Sequence, residues 1–250
     1  ILTVKYELGL FDHPFSDPAL LLQVGSAEHR ALAREAVVQS QVLLKNECNL
    51  LPLPPNLPTL YVGGQAADDI GIQSGGWTIE WQGAEGDITT GTTILQAIED
   101  TVSADTAVVY NEFGRFEELP ADEPAVCLAV VGERPYAEGQ GDSADLRLPV
   151  GDLRLLQRMV ETCDQLAVVL ISGRPLIITD LIVEWDALVA AWLPGTEGQG
   201  VVDVLFGTRP FTGRLAYTWP RSVDQLPFDF ANLAEDEPLF PFGFGLTTEE

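Results

Sequence analysis

Short apolar runs alternate along this chain with segments of helical spacing. TLYVGG (59–64), TAVVY (106–110), AVCLAVVG (125–132), QLAVVLISG (165–173) and DALVAAWLP (186–194) read as strands. TTILQAIEDTV (92–102), VGDLRLLQRMVETC (150–163), RPLIITDLIVE (174–184) and GQGVVDVLFG (198–207) read as helices, the second with its leucines and Met159 on one face and the last ended by Gly207. Residues 26–46 read as one helix: Ser26 is placed to cap it, Glu28 lies in its first turn, and Leu32, Ala36, Val37, Leu43 and Leu44 recur at helical spacing. LLPLPPNLP (50–58) ends it, because proline cannot continue a helix. Residues 1–24 read as loop.

Continuous apolar strands separated by helices predict an α/β fold whose mainly parallel sheet is covered on both faces. Sites in such folds form on loops after the strands' C-terminal ends. Three loops qualify: 63–83, 132–142 and 190–207.

Composition changes the picture in three ways. The 250 residues carry a net charge of −25, with 38 acidic against 13 basic residues. Such a polyanion is repelled by nucleic acid and by anionic membrane surfaces, and its acidity is read as solubility. Cys48, Cys127 and Cys163 are odd in number and form no CxxC pair, so they are expected to be small buried hydrophobes rather than a disulfide framework. His13 and His29 are the only histidines, which argues against a His-rich metal site. No run is long and apolar enough to span a bilayer, and the start at Ile1 shows no signal-peptide pattern. The expectation is a piece of a longer chain.

The candidate chemistry lies in the three loops. GGQAADDIGIQSGGWTIEWQG (63–83) holds Asp68, Asp69, Trp77 and Trp81. Its tryptophans either anchor the core or stack on a sugar's CH-rich face. GERPYAEGQGD (132–142) offers Glu133 and Glu138, either of which could be a general acid or base or part of a solvated turn, with Tyr136 beside them. GTEGQG (195–200) has a superficial likeness to a phosphate-binding turn but matches neither the Walker nor the GxGxxG pattern. The alternative is a tight turn with Glu197 near a helix N-terminus.

Taken in order, KYELGLFDHPFSDP (5–18), HRALAREAVVQSQVLLKN (29–46), LLPLP (50–54), GGWTIEWQG (75–83), GERPYAEGQGD (132–142), LISGRPL (170–176), ALVAAWLPGTEGQGVVDVLFG (187–207), TGRLAYTWP (212–220) and PLFPFGFGLTT (238–248) resemble glycoside hydrolase family 3, its β-D-glucan exohydrolases and β-glucosidases above all. The resemblance implies a three-layer α/β/α sandwich with a mainly parallel sheet of about six strands. It implies a connector at 1–24, the sandwich at 25–220 and a C-terminal extension at 221–250. A preceding (β/α)8-like barrel, which carries the nucleophile aspartate in this family, has no counterpart here. By the same resemblance Glu138 is the catalytic acid/base and Glu133 a structural carboxylate, Trp81 stacks on the +1 sugar with Trp77 as the near alternative, and no cofactor or metal takes part. The implied reaction is retaining hydrolysis of a β-glucan or β-glucoside in an extracellular or periplasmic setting. N-acetylglucosaminidase activity is disfavoured by the PYAE loop. The competing reading is a non-catalytic carbohydrate-binding or interaction module.

Overall fold

The computed structural model describes residues 1–117, 119, 124–229 and 237–248. Six strands form one sheet: β1 (Val42–Asn46), β2 (Thr59–Gly63), β3 (Ala107–Asn111), β4 (Val126–Gly132), β5 (Gln165–Ile171) and β6 (Ala187–Trp192), in the order β1-β6-β5-β4-β2-β3. All neighbours run parallel except β1, which pairs antiparallel with β6 at one edge. The helices are α1 (Leu2–Glu7), α2 (Ala27–Ser40), α3 (Ile70–Ser74), α4 (Ile94–Thr101), α5 (Val150–Thr162) and α6 (Gly198–Leu205).

The central strands bury both faces, as a covered parallel sheet requires. Val126, Leu128 and Val130 of β4 enter one core with α2, α3, α4 and α6, while Cys127, Ala129 and Val131 enter the other with α5, Trp185 and Trp219. The result is a three-layer α/β/α sandwich with a mainly parallel six-stranded sheet. Two half-buried ion pairs fasten α2 to α6 and its N-cap: Arg34 donates to both oxygens of the buried Asp203 at 2.6 Å each, and Arg30 to the buried Glu197 at 2.8 and 3.3 Å.

Four expectations are corrected. Residues 1–24 are not all loop: Leu2–Glu7 forms α1 and Pro18–Gln23 a 3-10 turn capped by Asp17. The helix expected over 26–46 stops at Ser40; Gln41 turns extended and Val42–Asn46 becomes the edge strand. Leu43 enters one core while Val42 and Leu44 enter the other, an alternation that suits a strand between two layers and not a helix face. RPLIITDLIVE is not an α-helix. Ile177 bridges to Arg147, Leu176 and Ile178 are buried, and only Ile182–Glu184 makes a short 3-10 turn. Finally, Cys127 and Cys163 are joined in a disulfide. They are 36 residues apart, but α5 is the crossover between parallel neighbours and returns the chain beside its start. Cys127 pairs with Leu166 in the sheet, three residues after Cys163, so the crossover itself brings the two sulfurs together. The odd cysteine is the exposed Cys48.

Of the C-terminal extension expected over 221–250, residues 230–236 and 249–250 lie outside the described residues. The remainder returns to the sheet: Leu246 N donates to Leu43 O at 2.8 Å, and the Phe240 ring meets Trp219 edge-on. No helix among the described residues is long and apolar enough to cross a membrane.

Candidate active site

The parallel strands deliver their following loops to one rim of the sheet, where those loops pack on one another. Gln73 exchanges backbone and side-chain bonds with Gly195, which ties the loop after β2 to the loop after β6. Gln82 Oε1 accepts from Ala137 N at 2.9 Å, which ties the first loop to the loop after β4. That bond joins the residue after Trp81 to the residue before Glu138. Close contact reinforces it: a Cβ at Gly76 would lie 2.0 Å from the Tyr136 carbonyl oxygen, so only glycine fits there.

The two glutamates of the GERPYAEGQGD loop stand in opposite circumstances. Glu133 follows β4 directly, and its side chain is 13% exposed. Arg174 Nε and Nη2 donate to its Oε1 at 3.0 and 2.6 Å, and the Tyr136 hydroxyl donates to its Oε2 at 3.0 Å. Burial first, and then the Glu133 charge and hydrogen bond, push the Tyr136 hydroxyl up to about 12. Glu138 opens a short 3-10 turn, Glu138–Gly141, with its side chain in solvent. Its carboxyl has no hydrogen-bond or ion-pair partner among the described residues. Its φ is +50°, a left-handed conformation that a glutamate adopts only when its surroundings impose it, and such outliers gather at functional sites.

The tryptophans are not core anchors. Trp77 is 68% and Trp81 53% exposed; their rings stand 6.3 Å apart and tilted by 56°. A tight turn presents them, closed by Trp77 N donating to Trp81 O at 3.0 Å, with Trp77 and Ile79 both at positive φ. Asp68 and Asp69 serve the structure: Asp68 accepts from the Thr93 hydroxyl, and buried Asp69 caps α3 through Ile72 N while also accepting from Gly86 N. The GTEGQG turn has its amides engaged within the chain, Gly195 N on Gln73 O, Gly198 N on Thr92 O and Gly200 N on Glu197 O, and the Glu197 carboxylate is paired with Arg30. That is a strand-to-helix turn and not a phosphate cradle. No group of three or more metal-ligating side chains occurs among the described residues.

Three participants went unremarked in the sequence. Arg174 and Gln82 lie in loops on the same rim, which was the one available signal. Asp152, in the first turn of α5, accepts from Gly132 N at 3.0 Å and pins the start of the Glu133 loop; its burial raises its pKa above the ordinary 3.8, while that bond and Arg134 oppose the rise.

Known proteins resemble this chain along most of its length. The chain is 33% identical over 272 residues to a lysosomal beta glucosidase of Dictyostelium discoideum, covering 99% of this chain and 33% of that protein. It is 30% identical to a periplasmic beta-glucosidase of Salmonella typhimurium, covering 99% and 39%. The crystal structure of an exo-1,3/1,4-beta-glucanase from a Pseudoalteromonas species superimposes with a TM-score of 0.81 at 38% identity, over 90% of this chain and 38% of that one. The chain thus spans between a third and two-fifths of the length of these proteins. The family model for the glycosyl hydrolase family 3 C-terminal domain matches residues 41–248, and the chain belongs to that family.

Proposed function

We propose that this chain is the acid/base-bearing domain of a retaining, exo-acting β-glucosidase or β-glucan glucohydrolase, with Glu138 as the acid/base. The observation that carries the reading is the division between the two loop glutamates. Glu133 is held by Arg174 and Tyr136, whereas Glu138 projects from the same loop into solvent without a partner among the described residues. A carboxyl that no internal donor holds is available to exchange a proton with a bound substrate.

In this reading an aspartate on a preceding (β/α)8-like barrel attacks the anomeric carbon. Glu138 protonates the departing glycosidic oxygen and then takes a proton from the water that hydrolyses the glycosyl-enzyme. Trp81, with Trp77 beside it, stacks on the sugar in the +1 position. Closure of the two domains would exclude water from the site and bring the second carboxylate near.

Residues 1–24 support the second domain. None of them is buried, and Leu2, Tyr6, Phe15, Leu21, Leu22 and Val24 all expose most of their apolar surface. Apolar patches of that extent mark an interaction surface, so 1–24 is assigned as the connector, with 25–220 the sandwich and 221–250 its extension. The disulfide supports maturation in an oxidising compartment.

The test is Glu138→Gln in the full-length protein. The kcat/KM on a β-linked glucose disaccharide should fall by about 10²–10⁴-fold. The same quantity on a 2,4-dinitrophenyl β-glucoside, whose leaving group needs no protonation, should change little. Wild-type activity of the variant on the disaccharide would refute the assignment.

A further inference from the structure

Arg174 follows β5 and stands outside the loop that carries Glu138, yet its guanidinium takes hold of both ends of that loop. Nε and Nη2 donate to the Glu133 carboxylate at the loop's start. Nη1 donates to the Gly141 carbonyl at its end, at 2.5 Å. The guanidinium also lies 4.7 Å over the Tyr136 ring, and the Tyr136 hydroxyl closes the circuit on the second oxygen of Glu133. Gly141 packs against the same ring so closely that a Cβ there would lie 2.3 Å from a ring carbon.

Between these anchored ends Glu138 holds its left-handed backbone, φ +50°. Outside the 3-10 turn itself, Ala137 N donates to Gln82 and Asp142 N to Gly139 O at 3.3 Å. Strain of this kind persists only where surrounding structure over-determines it. The planar five-donor fork of arginine can serve a carboxylate and a carbonyl on two sides at once; the compact ammonium of lysine cannot.

We propose that Arg174 is a positioning residue for Glu138: it clamps loop 133–141 from both ends and so sets where the Glu138 carboxyl meets the leaving-group oxygen. Its own contacts are internal, so it acts through Glu138 and not on substrate. The inference rests on Glu138 being the acid/base, and the experiment separates the two claims.

In the full-length protein, kcat/KM would be measured for Arg174→Ala, Arg174→Lys, Glu138→Gln and the double variant Arg174→Ala/Glu138→Gln. The substrates are the β-linked glucose disaccharide and the 2,4-dinitrophenyl β-glucoside. A misplacement on the ångström scale costs about 10²-fold. Arg174→Ala should therefore lose about that much on the disaccharide and only a few-fold on the activated glycoside, with Arg174→Lys between wild type and Ala. A residue acting only through Glu138 has nothing left to position once that carboxyl is gone, so the double variant should match Glu138→Gln alone. Equal losses on both substrates, or a loss that multiplies with that of Glu138→Gln, would overturn the positioning role while leaving the acid/base assignment standing. Wild-type disaccharide activity in Glu138→Gln would sink the acid/base assignment and the positioning role with it. If Arg174→Ala does not fold, as judged by circular dichroism and melting, Arg174→Lys decides: a selective loss on the disaccharide supports the clamp, and wild-type rates on both substrates overturn it.

Discussion

Gly76 is one of the points where the tryptophan loop touches the Glu138 loop, and Gly76→Ala perturbs the packing there. The added methyl carbon would stand 2.0 Å from the Tyr136 carbonyl oxygen, 2.7 Å from its carbon and 3.2 Å from Ala137 Cβ. Side-chain carbons essentially never approach other heavy atoms within 3.0 Å, so a gap of about 1 Å must open. The obstructing atoms are backbone, and no rotamer change relieves them. Gly76 does not occupy the left-handed region, so backbone strain adds nothing to the steric effect.

The displacement falls between Trp77–Trp81 on one side and Tyr136–Glu138 on the other. Overpacking of this kind costs about 1–3 kcal/mol of stability. If the two loops form one site, a shift of about 1 Å also costs about 10²-fold in rate, equivalent to roughly 2.7 kcal/mol of transition-state stabilisation. The assay is kcat/KM of the full-length protein on a β-linked glucose disaccharide, with a thermal melt to separate stability from activity. Gly151→Ala is the control. A Cβ at Gly151 meets nothing within 4 Å, and the residue lies in α5, so that variant should gain about 0.4–1 kcal/mol and keep its activity. A folded Gly76→Ala protein with the activity of the control would show that the register between the loops is irrelevant, and the composite site would be lost with it.

Two further predictions concern stability. Replacing Cys127 and Cys163 together by alanine releases a loop of 36 residues, for which chain entropy gives a loss of about 4 kcal/mol; a urea midpoint equal to wild type would mean that the bridge does not constrain the unfolded chain. Burial raises the Asp152 pKa above 3.8, so the folded state binds the proton more tightly than the unfolded chain does. Its contribution to stability is therefore lost as pH rises from about 3.8 through the raised folded value, and is level above it. Asp152→Asn keeps an acceptor for Gly132 N, removes that slope and should be the more stable protein at neutral pH; wild-type and variant stability curves that run parallel across the acid range would contradict the account.

Strands β2 to β6 were legible because each is a bounded apolar run, and their parallel order put the three loops on one rim by a general rule of such sheets. What escaped the sequence depends on neighbours distant along the chain. Val42–Leu44 continues the helical spacing of α2, and only β6 alongside, pairing Val42 with Ala190, makes it a strand. Cys127 and Cys163 look unrelated until α5 folds back between paired strands. The residue types offered two glutamates in one loop, ranked by family resemblance and by position: Glu138 lies farther out, between Ala137 and Gly139, while Glu133 directly follows the strand-ending Gly132. Their difference is made by Arg174, 41 residues further on, whose fork reaches Glu133 and Gly141 but leaves Glu138 out of every bond. A fold that satisfies Glu133, Asp69, Glu197 and Asp203 with dedicated partners has the means to satisfy a carboxyl wherever stability alone is at stake. It leaves Glu138 unpaired among the described residues, on strained backbone, joined through Gln82 to the exposed Trp81. In the proposed function the partner for that group comes from outside the sandwich, as substrate and as the second carboxylate of a preceding domain.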